Sequence, residues 1–121
     1  MNSSKLNFSV DGDVAVLQLL DPTMLSGEFC ASTQALLGDA AREQPDANVV
    51  VDLAGIEYVS SEGLGVLLSL RSQLQATSRR LCLINVAPLI VEVFEATRLN
   101  RLFPIVSDVA AAQRIPSAPI D

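Results

Sequence analysis

Three consecutive β-branched residues, Val49-Val50-Val51, followed by Asp52 and Leu53, constrain the fold of this chain more than any other feature. Successive side chains of a strand point to opposite faces, so a run with no polar alternate leaves no face for water. The segment reads as a central strand covered on both sides, with Asp52 near its end. A helical pattern follows from about Ser61 to Ala76. There Leu64, Leu67, Leu68 and Leu74 share a stripe that Val66 and Leu70 widen. The expectation is a largely buried helix packed on more than one side.

The remaining segments fit around that pair. Phe8 to Val10 and Val14 to Leu20 flank Asp11-Gly12-Asp13, a turn-forming triplet, and read as a β-hairpin. Asp21-Pro22-Thr23 breaks the second strand. A helix is expected from near Ser26, its N-cap, with Glu28 in the first turn and Phe29, Thr33, Leu36, Leu37 and Ala40 on one buried face, ending before Pro45. After a turn at Thr77-Ser78, Leu81 to Asn85 reads as a strand, and Pro88 suits the first turn of the next helix. Ile90, Val93, Phe94 and Thr97 are its expected inward positions. Arg98 to Leu102 should close that helix, Phe103 to Val106 form a last strand and Ser107 to about Arg114 a last helix, before a frayed tail over 115–121. Strands alternating with helices after a hairpin predict one α/β domain over 1–121, with its ordered core at about 7–114. Its mixed sheet has an N-terminal hairpin and later parallel strands, packed with about four helices.

Composition narrows the function. Fourteen acidic residues against eight basic ones, a net charge of −6, oppose attraction to nucleic acid or to anionic lipid. No run approaches the roughly 18 apolar residues of a spanning helix, so no membrane insertion is expected, and the N-terminus lacks the apolar run of a secretory signal. A cytoplasmic location is the expectation. The chain has no histidine, which removes Ser-His-Asp and Cys-His catalysis and the histidine-bearing zinc sites. Cys30 and Cys82 are too far apart for a CxxC motif and read as buried small side chains. Neither a metal site nor a cofactor is expected. Asp52 with Glu57 or Glu62 is the best carboxylate pair for acid/base work, but no nucleophile or cofactor constellation supports it.

The segment Val49-Val-Val-Asp52-Leu-Ala-Gly55-Ile-Glu-Tyr-Val-Ser60-Ser-Glu-Gly63-Leu-Gly65-Val-Leu-Leu resembles the signature region of STAS domains, in which a buried strand runs into a loop of the form Asp-Ser-Ser-Gly-Leu-Gly that opens a helix. A second region, Phe94-Glu-Ala-Thr97-Arg-Leu-Asn-Arg101-Leu-Phe103-Pro-Ile105, is similar to that family's corner between a helix and the last strand. The resemblance covers roughly residues 8 to 114. It implies partner switching: an anti-sigma factor antagonist binds an anti-sigma factor, usually a kinase-like ATPase, and so frees the sigma factor. The kinase ends binding by phosphorylating the second serine of the loop. A non-catalytic subunit of a stressosome-like or lipid-transport assembly is the alternative, and a monomer or weak homodimer is the expected state.

Aligned on Gly63-Leu64-Gly65, the chain places Ser60 at the family's aspartate, Ser61 at the first serine and Glu62 at the phosphorylated serine. The standard acceptor hydroxyl is missing. Two readings of Glu62 stand: partial imitation of a phosphoserine, or an ordinary first-turn acid that leaves binding permanent, which is preferred. Should the chain be phosphorylated, Ser61 is the first candidate and Ser60 the second. Either serine can also cap the helix, and Gly63 and Gly65 either admit a partner's backbone or let the helix pack closely. The partner-binding residues expected are Ser60, Ser61, Glu62, Gly63, Leu64 and Gly65, with Asp21, Thr23 and Met24 beside them. Asp52 either positions this loop or caps a turn. Arg79-Arg80 reads as a solvated pair, with contact to an acidic partner the other reading. Arg98 stands where related sequences often carry Gly, so that helix is expected to end differently, using Asn100.

Overall fold

A computed structural model describes residues 5–114; the tail expected to fray over 115–121 lies outside the described residues. The hairpin forms as β1 (Leu6–Asp11) and β2 (Val14–Leu19), antiparallel, with Leu6 opposite Leu19 and Asp11 opposite Val14. Gly12 turns the chain at φ 63°, where a residue with a Cβ is strained. Then β3 (Asn48–Asp52) pairs parallel with β2, β4 (Leu81–Ile84) with β3, and β5 (Ile105–Val106) with β4, so strand order equals chain order. Successive parallel strands are joined by α1 (Cys30–Arg42), α2 (Ser61–Gln75) and α3 (Pro88–Ala96), and α4 (Val109–Gln113) follows β5.

The three valines are at most 1% exposed, and β3 lies between β2 and β4 as a central strand. The period of two splits them between two apolar clusters. Val49 and Val51 join Leu37, Leu67, Leu74 and Phe94 on one face, and Val50 joins Val14, Cys82, Ile84 and Ala112 on the other. Helices α1, α2 and α3 therefore share the first face and α4 covers the second. Phe94 and Phe103, both fully buried, meet edge to face with centroids 5.8 Å apart and fix α3 against the chain entering β5.

Several expectations change. A 3-10 turn over Gly27–Phe29 precedes α1, and the Ser26 hydroxyl makes no capping bond, donating instead to the Thr23 carbonyl at 3.2 Å. Thr33, Leu37 and Ala40 are buried, but Phe29 is exposed, with the Lys5 ammonium 5.1 Å from its ring centroid. In α2 only Gly63, Val66, Leu67, Leu70 and Leu74 are buried. The helix is half-buried because it packs on one sheet face and its outer side meets solvent. In α3, Ile90 and Phe94 turn inward while Val93 and Thr97 are exposed. Arg98 itself takes the left-handed stop at φ 62°, and Asn100 lies in a 3-10 turn beyond it. The last helix starts at Val109 because the Asp108 carboxylate accepts the Ala111 N–H at 2.8 Å.

Arg79 is the largest correction. It is buried, with Nη1 donating to the carbonyls of Ala41 and Gln44 at 2.9 Å each and to that of Ala47 at 3.4 Å, and Nε donating to Thr77 Oγ1 at 2.9 Å. The guanidinium supplies donors to the carbonyls left open where α1 ends. Cys30 and Cys82 are buried free thiols, and burial pushes the Cys82 thiol up while Arg80 opposes the shift.

Candidate partner-binding site

The C-terminal ends of β2, β3 and β4 are neighbours, so the chain after each emerges on one edge of the sheet. The centre of that edge is the start of α2. Ser60 has extended backbone (φ −83°, ψ 175°), and its hydroxyl accepts the Gly63 N–H at 3.1 Å. The same hydroxyl donates to the Leu25 carbonyl at 3.4 Å, and the Ser60 N–H donates to that oxygen at 3.0 Å. One serine therefore caps α2 and ties it to the chain after β2. Ser61 and Glu62 follow in the first turn, both exposed, and the Ser61 hydroxyl makes no hydrogen bond among the described residues.

The two glycines separate. Gly63 is buried, and a Cβ there would overlap the Leu25 carbonyl, so close packing requires glycine. At Gly65 a Cβ would meet nothing within 4 Å, and the residue is exposed. Leu64 is half-buried against the core. Beside them, the Asp21 carboxylate accepts both the Thr23 N–H at 2.9 Å and the Thr23 hydroxyl at 2.7 Å. Those bonds, aided by Lys5 and opposed by slight desolvation, hold the Asp21 carboxyl below the usual carboxylate range. Met24 is 2% exposed and belongs to the core, so it offers a partner no surface.

Of the residues expected at an interface, Thr23, Ser61, Glu62 and Gly65 are exposed, Asp21, Ser60 and Leu64 are half-buried, and Gly63 and Met24 are buried. Asp52 caps a turn through the Ala54 N–H at 2.9 Å and also accepts from Asn85 Nδ2 at 3.0 Å, which links the chain after β3 to the chain after β4. It makes no hydrogen bond to the start of α2. Glu57 and Glu62 are exposed, and neither they nor Asp52 line the groove of about 430 Å³ between α1 and α2.

Sequence reasoning passed over two features of this edge. Leu25 contributes through its carbonyl, which no side-chain pattern reports. Tyr58 is 64% exposed and Leu89 73% exposed. Tyr58 could have been singled out as the lone tyrosine of a chain with 4% aromatic residues.

Residues 13–107 match the family described as Mlab, STAS domain. The candidate anti-sigma factor antagonist BtrV of Bordetella bronchiseptica is 31% identical over 99 residues, covering 73% of this chain and 85% of BtrV. The anti-sigma-factor antagonist (STAS) domain protein of Planctomyces limnophilus superposes with a TM-score of 0.76 at 18% identity, over 88% of this chain and 93% of that one. The phosphorylated form of SpoIIAA, a Bacillus cell fate determinant, superposes with a TM-score of 0.64 at 19% identity, over 92% of this chain and 99% of its own. At such identities the two structures speak to the fold alone.

Proposed function

The chain belongs to the STAS domain family, and on that premise we propose that it is a cytoplasmic, non-catalytic antagonist that binds an anti-sigma factor through the exposed start of α2 and stays competent to bind without phosphorylation control. The observation that carries this reading is the solvent-facing set Ser61, Glu62 and Gly65 at the head of a capped helix. Unpaired backbone N–H groups and the positive end of the helix dipole meet the partner there, with no side-chain bulk at position 65. The relative BtrV, described as a candidate anti-sigma factor antagonist, supports the same reading.

Glu62 stands in place of the family's phosphorylated serine, and its carboxylate is a first-turn acid of the kind that stabilises a helix start by a few tenths to about 1 kcal/mol. Its charge of about −1 and two oxygens fall short of the roughly −1.5 to −2 charge and three acceptor oxygens of a phosphoserine. Ser60 is a poor phosphoacceptor because its hydroxyl holds both Gly63 and Leu25. Ser61 is the accessible hydroxyl.

The test mixes the purified chain with each purified kinase-like anti-sigma factor of the same genome, with and without magnesium ATP. The expected result is a complex with one of them, an unchanged intact mass of the chain, and about tenfold or greater weakening by Gly65→Lys. Gly65 is the informative position, because Gly63→Lys would disturb packing against Leu25. A phosphate mapped to Ser61 would remove the unregulated reading, and failure of every anti-sigma factor to bind would remove the antagonist reading.

A further inference from the structure

The exposed large apolar side chains are distributed unevenly. Val10 lies toward the hairpin turn, whereas Leu20, Phe29, Tyr58 and Leu89 lie toward the edge where α2 begins, and Val93 lies past the middle of α3. Scattered exposed apolar residues are ordinary on a soluble surface, but their concentration at one end of the molecule is not. On α3, Leu89 and Val93 are 73% and 41% exposed and lie four residues apart, so both project from one face with exposed Glu92 beside them. That face is unpartnered, and Leu89 sits in its first turn, at the same edge as Tyr58 and the start of α2.

The charge around these apolar residues is acidic. Glu28, Glu57, Glu62 and Glu92 are exposed around the apolar residues, and Asp21 lies half-buried among them. Among the described residues the cation at this edge is Lys5, over the Phe29 ring. Arg42, Arg79, Arg80, Arg98 and Arg101 lie where α1 and α3 end and where β4 begins, at the far edge of the sheet, together with exposed Asp39, Glu43, Asp46 and Glu95. Among the described residues, the absence of arginine near the apolar residues is therefore local to this edge.

We infer that the exposed face of α3, through Leu89 and Val93, forms one docking surface with Tyr58 and the start of α2, and that its occupant is a protein surface with an apolar centre rimmed by lysine or arginine. The inference rests on the antagonist reading and names the chemistry of that partner. Charge selects among the occupants that an apolar face admits. A second copy docked on the same face would set glutamates against glutamates, and an anionic lipid surface would be repelled. A basic rim is attracted, and glutamates around an apolar centre steer its approach.

The test takes the anti-sigma factor that binds the unmodified chain and measures it against three variants whose fold is checked by circular dichroism. Leu89→Ser with Val93→Ser is expected to raise Kd about tenfold or more. Glu57→Lys with Glu92→Lys is expected to slow association, and the slowing should shrink as salt rises from about 50 to about 300 mM. Val10→Ser, at the far end, should bind as the unmodified chain does. Binding by the unmodified chain that both double variants leave unchanged overturns this inference alone, whereas no binding by the unmodified chain overturns the reading beneath it. Sedimentation of the chain as a dimer, or its capture by vesicles rich in phosphatidylglycerol, also overturns the inference if Leu89→Ser with Val93→Ser abolishes it.

Discussion

A methyl group added at position 63 and one added at position 65 enter opposite surroundings, although both glycines lie in the first turns of one helix. At 63 it runs into the Leu25 carbonyl, and backbone cannot rotate away as a flexible side chain can. Gly63→Ala is expected to destabilise the fold by about 1–3 kcal/mol, the usual range for overpacking, while Gly65→Ala should stabilise it by up to about 1 kcal/mol through helix propensity. Urea denaturation of the two variants checks both signs. The same scale decides the behaviour of Asp21, whose carboxyl is held down first by the Thr23 hydroxyl and then by the Thr23 N–H. A depressed folded value means that the contribution of this turn is complete above the ordinary aspartate value of about 3.9 and is lost as pH falls through the folded value. An NMR titration should place Asp21 below the ordinary value, and Thr23→Val should move it back up.

Elements in this chain are finished by residues outside them. The end of α1 is closed from 32 or more residues away by Arg79, whose Nη1 donates to the carbonyls of Ala41, Gln44 and Ala47. Arg79→Met keeps much of the apolar stem but leaves those buried acceptors without their donor. The expected loss is about 2–5 kcal/mol, far above that of a surface arginine, and thermal or urea unfolding measures it. The end of α3 is set locally instead. Arg98 adopts a left-handed conformation that disfavours any residue with a Cβ, and packing of Phe94 on Phe103 holds the corner regardless. Sequence order placed these helices, because the 3.6-residue period survives in any packing. The exposure of Val93 and Thr97 was not legible, since an apolar residue and a threonine at helical spacing look inward until the neighbouring surface is known.

Across the whole molecule the sheet is a linear series of neighbours, and its centre should be its most protected part. Amide hydrogen exchange is expected to be slowest at Val50 and Val51, flanked by strands and covered by both apolar clusters, and faster in two-residue β5 and in β1 at the edge. Equal exchange across the strands would mean that the sheet opens only as one unit. The same arrangement brings the starts of three connections to one edge, which sets Glu57 and Glu62 beside the start of α2.

The amino-acid sequence by itself determined the alternation of strands and helices, the central place of Val49 to Val51, the hairpin turn at Gly12 and a cap at the head of α2 from one of two adjacent serines, of which the structure selects Ser60. Each is written in burial periodicity or in the stereochemistry of a few adjacent residues. Tertiary structure alone decided that Met24 and Gly63 are core, that Arg79 serves α1, and that Leu89 and Val93 face solvent. Those outcomes depend on which backbone atoms arrive from distant parts of the chain when the layers close, and no local pattern carries that information.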